Sequence, residues 1–180
     1  DRGAISTMFY DMLRHHGRLS WWVDKKNAVQ SVRMRTIAYL AGPEASWADG
    51  IRWRALRDVC REMGITEHRI GPFAPTIQGG RSAAEVFAAR RIKAVICYND
   101  IMAIGLMKGL QERGLKVPAD VSIIGFDNVF ASALVTPGLT TVAAPLNMLG
   151  DAAVRHIVAA LRNNTPADAA PVVVPVRLVV

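Results

Sequence analysis

The chain has 180 residues, 51% of them hydrophobic, which is enough for a sizeable core and too apolar for a disordered segment. A net charge of +7 raises nucleic acid as a partner, but the basic residues are scattered from Arg33 and Arg35 through Arg52, Arg54, Arg57 and Arg61 to Arg90, Arg91 and Lys93, with no aromatic ladder between them. No apolar run reaches the roughly 18 residues that a membrane span requires.

The opening DRGAISTMFYD has neither the basic nor the apolar region of a signal peptide, and without an initiator Met it reads as a fragment or a mature product. Ile5 to His16 has the spacing of an amphipathic helix ending at Gly17; residues 18–34 show no regular pattern, and their Trp21-Trp22 pair is assigned to capping the core. TIAYLAG predicts a buried strand at 36–41, stopped by the turn signal Gly42-Pro43. Ile51 to Met63 follows as a helix with its stripe at Ile51, Leu56, Val59, Cys60 and Met63 and with Gly64 as C-cap. RIGPF predicts a short strand at 69–73, and Ser82 to Arg90 a helix. AVICY is a strand at 94–98, Ile101 to Arg113 a helix capped by Gly114, and VSIIGF a strand at 121–126. LTTVAA gives one more strand, Leu146 to Arg162 a long helix, and PVVVPVRLVV, with two prolines, a strand at an edge. Strands and helices in alternation imply βαβ units: an α/β fold with a mostly parallel sheet and helices on both faces.

Ligands of such sheets sit at the carboxyl ends of the strands, where Asn99, Asp100 and Asp127 fall. A carboxylate accepts hydroxyl hydrogens and an amide both donates and accepts, a mixture suited to a sugar or a nucleobase. Asp127-Asn128 equally fits a turn cap. Asp100 reads as the N-cap of its helix, which leaves Asn99 the better ligand candidate of that pair. There is no nucleophile elbow, phosphate loop or His/Lys partner for these acids, so the residues point away from an enzyme. Cys60 and Cys97 read as two separate reduced core thiols, which favours a cytoplasmic setting. With no CxxC, and with the adjacent His15-His16 pointing in different directions, neither a metal site nor a cofactor is implied.

Three segments carry a resemblance: YLAGP at 39–43, CYNDIMAIGLMKGLQERGLKVPADVSIIGFDN at 97–128, and PGLTTVAAPLNMLGDAAV at 137–154. They resemble the lac repressor/galactose repressor family of bacterial transcription regulators, over nearly everything from Thr36 to Val180. The resemblance implies a lobe of periplasmic-binding-protein type I: residues 1–145 the C-terminal lobe, with 18–34 atypical; 146–165 a helix returning to a first lobe that lies outside this chain; and 166–180 a final strand. The DNA-binding head and hinge would likewise lie outside it. Arg52, Phe73, Asn99, Asp100 and Asp127 become the implied ligand contacts, Arg52 as the cleft arginine and Phe73 as a stacking aromatic. Ile101, Ile104, Met107 and Lys108 become the implied homodimer face, with Ile104 half exposed in a monomer. Two departures stand out. Arg52-Trp53-Arg54-Ala55-Leu56 replaces the family's Arg-x-x-Gly-Phe, and Ala143-Ala144 replaces a polar residue after LTT. The implied function is the effector-binding and dimerisation part of a sugar-responsive repressor that meets operator DNA only through its absent head. The alternative is an extracytoplasmic sugar-binding protein of an ABC transporter, which shares the fold.

Overall fold

The computed structural model of the chain describes residues 36–90, 92–163 and 174–180. The expected helix at Ile5–His16 and the segment 18–34 lie outside those residues. The strands are β1 (Thr36–Leu40), β2 (Thr66–Ile70), β3 (Ala94–Cys97), β4 (Ser122–Phe126), β5 (Thr140–Ala143) and β6 (Arg177–Val179). Between them run helices α1 (Trp47–Met63), α2 (Ile77–Arg90), α3 (Asp100–Gln111) and α4 (Leu146–Asn163). The strands form one sheet in the order β2-β1-β3-β4-β5-β6, parallel except for β6, which pairs antiparallel with β5 at the edge. This is the α/β architecture that the alternation predicts.

Helix α3 closes at Gln111 with Glu112 rather than Gly114 at its cap, and three boundaries among α1, β2 and α2 differ from the periodicity by three residues or more, each for a local reason. Helix α1 begins at Trp47 rather than Ile51, because the Ser46 side chain accepts from the Asp49 amide at 3.2 Å and opens the helix a turn earlier. Its end is as expected, with Gly64 in the left-handed conformation at φ 64°. Strand β2 occupies 66–70 rather than 69–73, since Gly71 (φ 125°) and Pro72 turn the chain out of the sheet. Helix α2 starts at Ile77 rather than Ser82; the Thr76 hydroxyl accepts from the Gly79 amide at 3.0 Å, a start signal that the Gly79-Gly80 pair obscures.

Alternate residues of β1 serve two cores. Ala38 and Leu40 join Phe87, Met102, Leu106 and Leu110 beneath α2 and α3, whereas Ile37, Tyr39 and Ala41 join Leu56, Val59 and Cys60 beneath α1. Helices α2 and α3 approach so closely that a Cβ on Gly80 would collide with the Met102 carbonyl, and one on Gly105 with that of Ile77. Sandwiched between α2 and the sheet, α3 is buried nearly all round. Ile104, expected half exposed at a dimer face, is therefore 3% exposed, and Met107 is likewise core; of that set only Ile101 and Lys108 reach the surface. Helix α4 is the opposite case. Its Leu146, Leu149, Val154, Ile157, Val158 and Leu161 are all exposed.

Candidate functional site

The site assembles where β1, β3 and β4 end and α1 begins. Arg52, on the second turn of α1, reaches back across those ends. One guanidinium nitrogen donates to the Tyr98 carbonyl just past β3, and the other lies 3.4 Å from Oδ1 of Asp127 just past β4. The guanidinium carbon sits 3.7 Å from the centroid of the Phe126 ring and 5.2 Å from that of Tyr98. A planar cation held over two rings with its donors fixed is a pre-aimed fork for hydroxyl or carboxylate oxygens. Arg52 is mostly covered, at 16% exposure, whereas Asp127 is open at 44%. An ion pair this long and this wet is worth about 0–1 kcal/mol. The pair can part to admit a polar ligand at little cost.

Burial pushes the Asp127 carboxyl above its usual range; the Arg52 cation opposes that shift and the nearby Asp100 carboxylate adds to it. Asp127 (φ 105°) and Asn128 (φ 53°) both occupy left-handed backbone that side chains rarely adopt, so the turn presenting Asp127 is strained.

The cap role expected of Asp100 falls to Asn99 instead. Asn99 is the N-cap of α3, its Oδ1 accepting from the Met102 amide at 2.9 Å. Its amide nitrogen makes no hydrogen bond among the described residues, and the residue is half-buried beside Tyr98. Asp100 is completely buried: its carboxylate accepts from the Val129 amide (2.9 Å), the Ser132 hydroxyl (2.7 Å) and the Thr141 hydroxyl (2.6 Å). With both oxygens engaged inside the fold, Asp100 is an interior anchor rather than an open ligand group. Arg52, Asn99 and Asp127 are thus brought together at one sheet edge. Phe73 belongs to the same edge but stands beyond β1, half-buried against the α2/α3 core, with its amide donating to the Ala41 carbonyl at 3.1 Å.

Four further residues complete the site. Tyr98 and Phe126 form the bed for Arg52. Asp49, 1% exposed, binds the Tyr39 hydroxyl (3.0 Å), the Gly42 amide (2.7 Å) and Arg69 (2.7 Å), which fastens the β1–α1 turn to β1 and β2. Ser46, besides capping α1, lies 3.2 Å from the Tyr98 hydroxyl. A Cβ on Gly42 would strike the Tyr98 ring, so this glycine makes room for the bed. The Ser46-x-x-Asp49 spacing was the available sequence signal for this hub. Nothing local in the sequence singles out Tyr98. Among the described residues no three His, Cys, Asp or Glu side chains gather as a metal site, and no helix is long and apolar enough to cross a membrane.

Residues 29–180 match the family model of the periplasmic binding protein-like domain. The chain is 40% identical over 105 residues to the HTH-type transcriptional regulator MalR of Streptomyces coelicolor, covering 58% of this chain and 30% of that protein. It is 34% identical over 153 residues to the HTH-type regulator GalR of Escherichia coli, covering 83% and 44%. Among solved structures, the LacI family regulator of an Arthrobacter species in complex with lactose is similar at a TM-score of 0.73, with 28% identity over 95% of this chain and 63% of that one. The lac repressor dimer bound to operator and the anti-inducer ONPF is similar at 0.74, with 28% identity over 81% and 51%. The chain spans less than half the length of these curated relatives.

Proposed function

Because the chain belongs to the periplasmic binding protein-like family, in the line of the lac and galactose repressors, we propose that it is the effector-binding part of a bacterial transcription regulator, and that its effector is a sugar. The observation that carries this is the Arg52–Asp127 pair at the carboxyl edge of the sheet, stacked on Phe126 and Tyr98 and half open to water. A pyranose or furanose offers vicinal hydroxyls, one to accept from the guanidinium and one to donate to Asp127, while the Asn99 amide supplies a further donor. Phe73 is the wall on the β2 side.

The single sheet edge supplies half of a cleft. The exposed apolar side of α4 is the surface that would meet a second lobe, and closure of that lobe would exclude water and strengthen each polar contact. The signal would pass to operator DNA through a helix-turn-helix head of the kind named for the relatives. With Ile104 and Met107 in the core, Ile101 and Lys108 are what remains of the proposed homodimer face on α3.

The reading is tested by calorimetry of the full-length protein against lactose, galactose, ribose and a purine base, repeated with Arg52→Met and Asp127→Asn. Binding of one of the sugars by the wild type and its loss in both variants is the expected result. Binding of the purine alone, or of a sugar equally by all three proteins, overturns it.

A further inference from the structure

The left-handed pair Asp127-Asn128 has to be held in place, because a carboxylate on a relaxed turn would not stay over Arg52. A connected set of hydrogen bonds does the holding, and its centre is Asp100. Oδ1 of Asp100 accepts from the Thr141 hydroxyl at 2.6 Å, and that same hydroxyl oxygen accepts from the Asn128 amide at 3.2 Å. Oδ2 accepts directly from the Val129 amide at 2.9 Å and from the Ser132 hydroxyl at 2.7 Å. The Asp127 amide meanwhile donates to the Val142 carbonyl at 2.9 Å and keeps the turn in the register of β5. All three amides of the turn therefore have fixed acceptors, two of them supplied by Asp100, one directly and one through Thr141. Gly125 leaves space for this: a Cβ there would collide with Oδ1 of Asp100.

We propose that Asp100 is a positioning residue for the ligand site: acting through Thr141 and the Val129 amide, it locks the strained Asp127-Asn128 turn and so aims the Asp127 carboxylate at Arg52. Complete burial suits it to the task. A charged acceptor bonded away from water makes stronger bonds than a neutral one, and it has no exposed position to relax into. The two roles in the Asn99-Asp100 pair are then complementary: Asn99 faces the site and caps α3, and Asp100 turns inward and ties α3 to β5 and to the turn after β4. That Asp127 meets a ligand rests on the sugar-binding reading; the bracing of its turn does not, so the experiment reads the turn with no ligand present.

Amide hydrogen exchange by NMR on this chain compares wild type with Thr141→Val, Asp100→Asn and Ser132→Ala. The Thr141→Val change removes the relay to Asn128 while keeping the side chain's shape, and it leaves the bond from Val129 to Asp100. Expected are at least a tenfold faster exchange at Asn128 in Thr141→Val, and at both Asn128 and Val129 in Asp100→Asn, with the core amides of Ile96 and Ile124 unchanged. Ser132→Ala, which removes one bond to Asp100 and none to the turn, leaves Asn128 within a factor of about three of wild type. In the loosened variants, carboxyl NMR titration places Asp127 closer to an ordinary aspartate. Should Asp100→Asn fail to fold, Thr141→Val still decides the matter at Asn128. The proposal is overturned if the Asn128 amide exchanges at the wild-type rate in Thr141→Val, or if it speeds up only in step with Ile96 and Ile124.

Discussion

Replacing Asp49 by Ala removes the one acceptor shared by Tyr39, Gly42 and Arg69. The Tyr39 hydroxyl is fully buried and the Gly42 amide is buried with it, so neither can turn to water; a buried donor left without a partner costs about 1–3 kcal/mol. Arg69 is 31% exposed and can be solvated, so its lost pair adds only about 0–1 kcal/mol. The sum is roughly 2–7 kcal/mol, a large part of the 5–15 kcal/mol typical of a folded domain. Urea denaturation followed by tryptophan fluorescence measures it, with Tyr39→Phe (expected loss about 1 kcal/mol) as the reference. Asp49→Ala should exceed it, because it orphans Gly42 as well as Tyr39. A loss no larger than that of Tyr39→Phe would refute the view that this carboxylate is bonded to buried donors.

The raised pKa of Asp127 means that the folded chain holds its proton more tightly than the unfolded one; this group's contribution to stability is full below the ordinary value of 3.8 and is lost as pH rises through the folded value. Asp127→Asn should therefore be the more stable protein at neutral pH, with a gap that closes on acidification in pH-dependent urea melts, whereas a gap independent of pH contradicts the assignment. Gly42→Ala should push the Tyr98 ring aside and weaken sugar binding by tenfold or more in calorimetry, while unchanged affinity would show that the ring is not part of the site. Cys60 is pushed up to about 12 by burial, with Glu67 adding, and Cys97 is raised by burial and by Asp100, so neither thiol should be alkylated by iodoacetamide at pH 7 in the folded chain; rapid labelling detected by mass spectrometry would count against their burial.

The sheet was legible in the sequence because buried parallel strands are short continuous apolar runs, and VICY and SIIGF are such runs, too short for helices and set in alternation with them. The edge strand β2 was read three residues late because TEHRI, largely exposed, has no apolar run to mark it. Asn99 and Asp127 could be singled out because they stand at the carboxyl ends of apolar strands, where ligands of such sheets bind, whereas Arg52, inside a helix, was singled out only through the family resemblance. The helix cap was placed on Asp100 rather than Asn99 because an N-cap and the residue after it are adjacent and chemically alike. Only the distant Thr141, Ser132 and Val129 reveal which of the two points inward. The same limit hid Asp49, whose partners at positions 39, 42 and 69 belong to no common periodicity. Ile104 and Met107 were misplaced because a helix covered on two sides has no solvent face to read from its pattern.

At the crossing of α2 and α3 the glycines Gly80 and Gly105 leave backbone resting on backbone, with no side chain between them to act as a cushion. Such a joint has no rotamers to exchange and no slack to take up, so the two helices translate and tilt as one beam. Asn99 stands at the head of α3, and the loop bearing Phe73 leads into the head of α2. A displacement of Asn99 or of the Phe73 loop would therefore be carried along both helices toward their far ends, near Arg90 and Gln111.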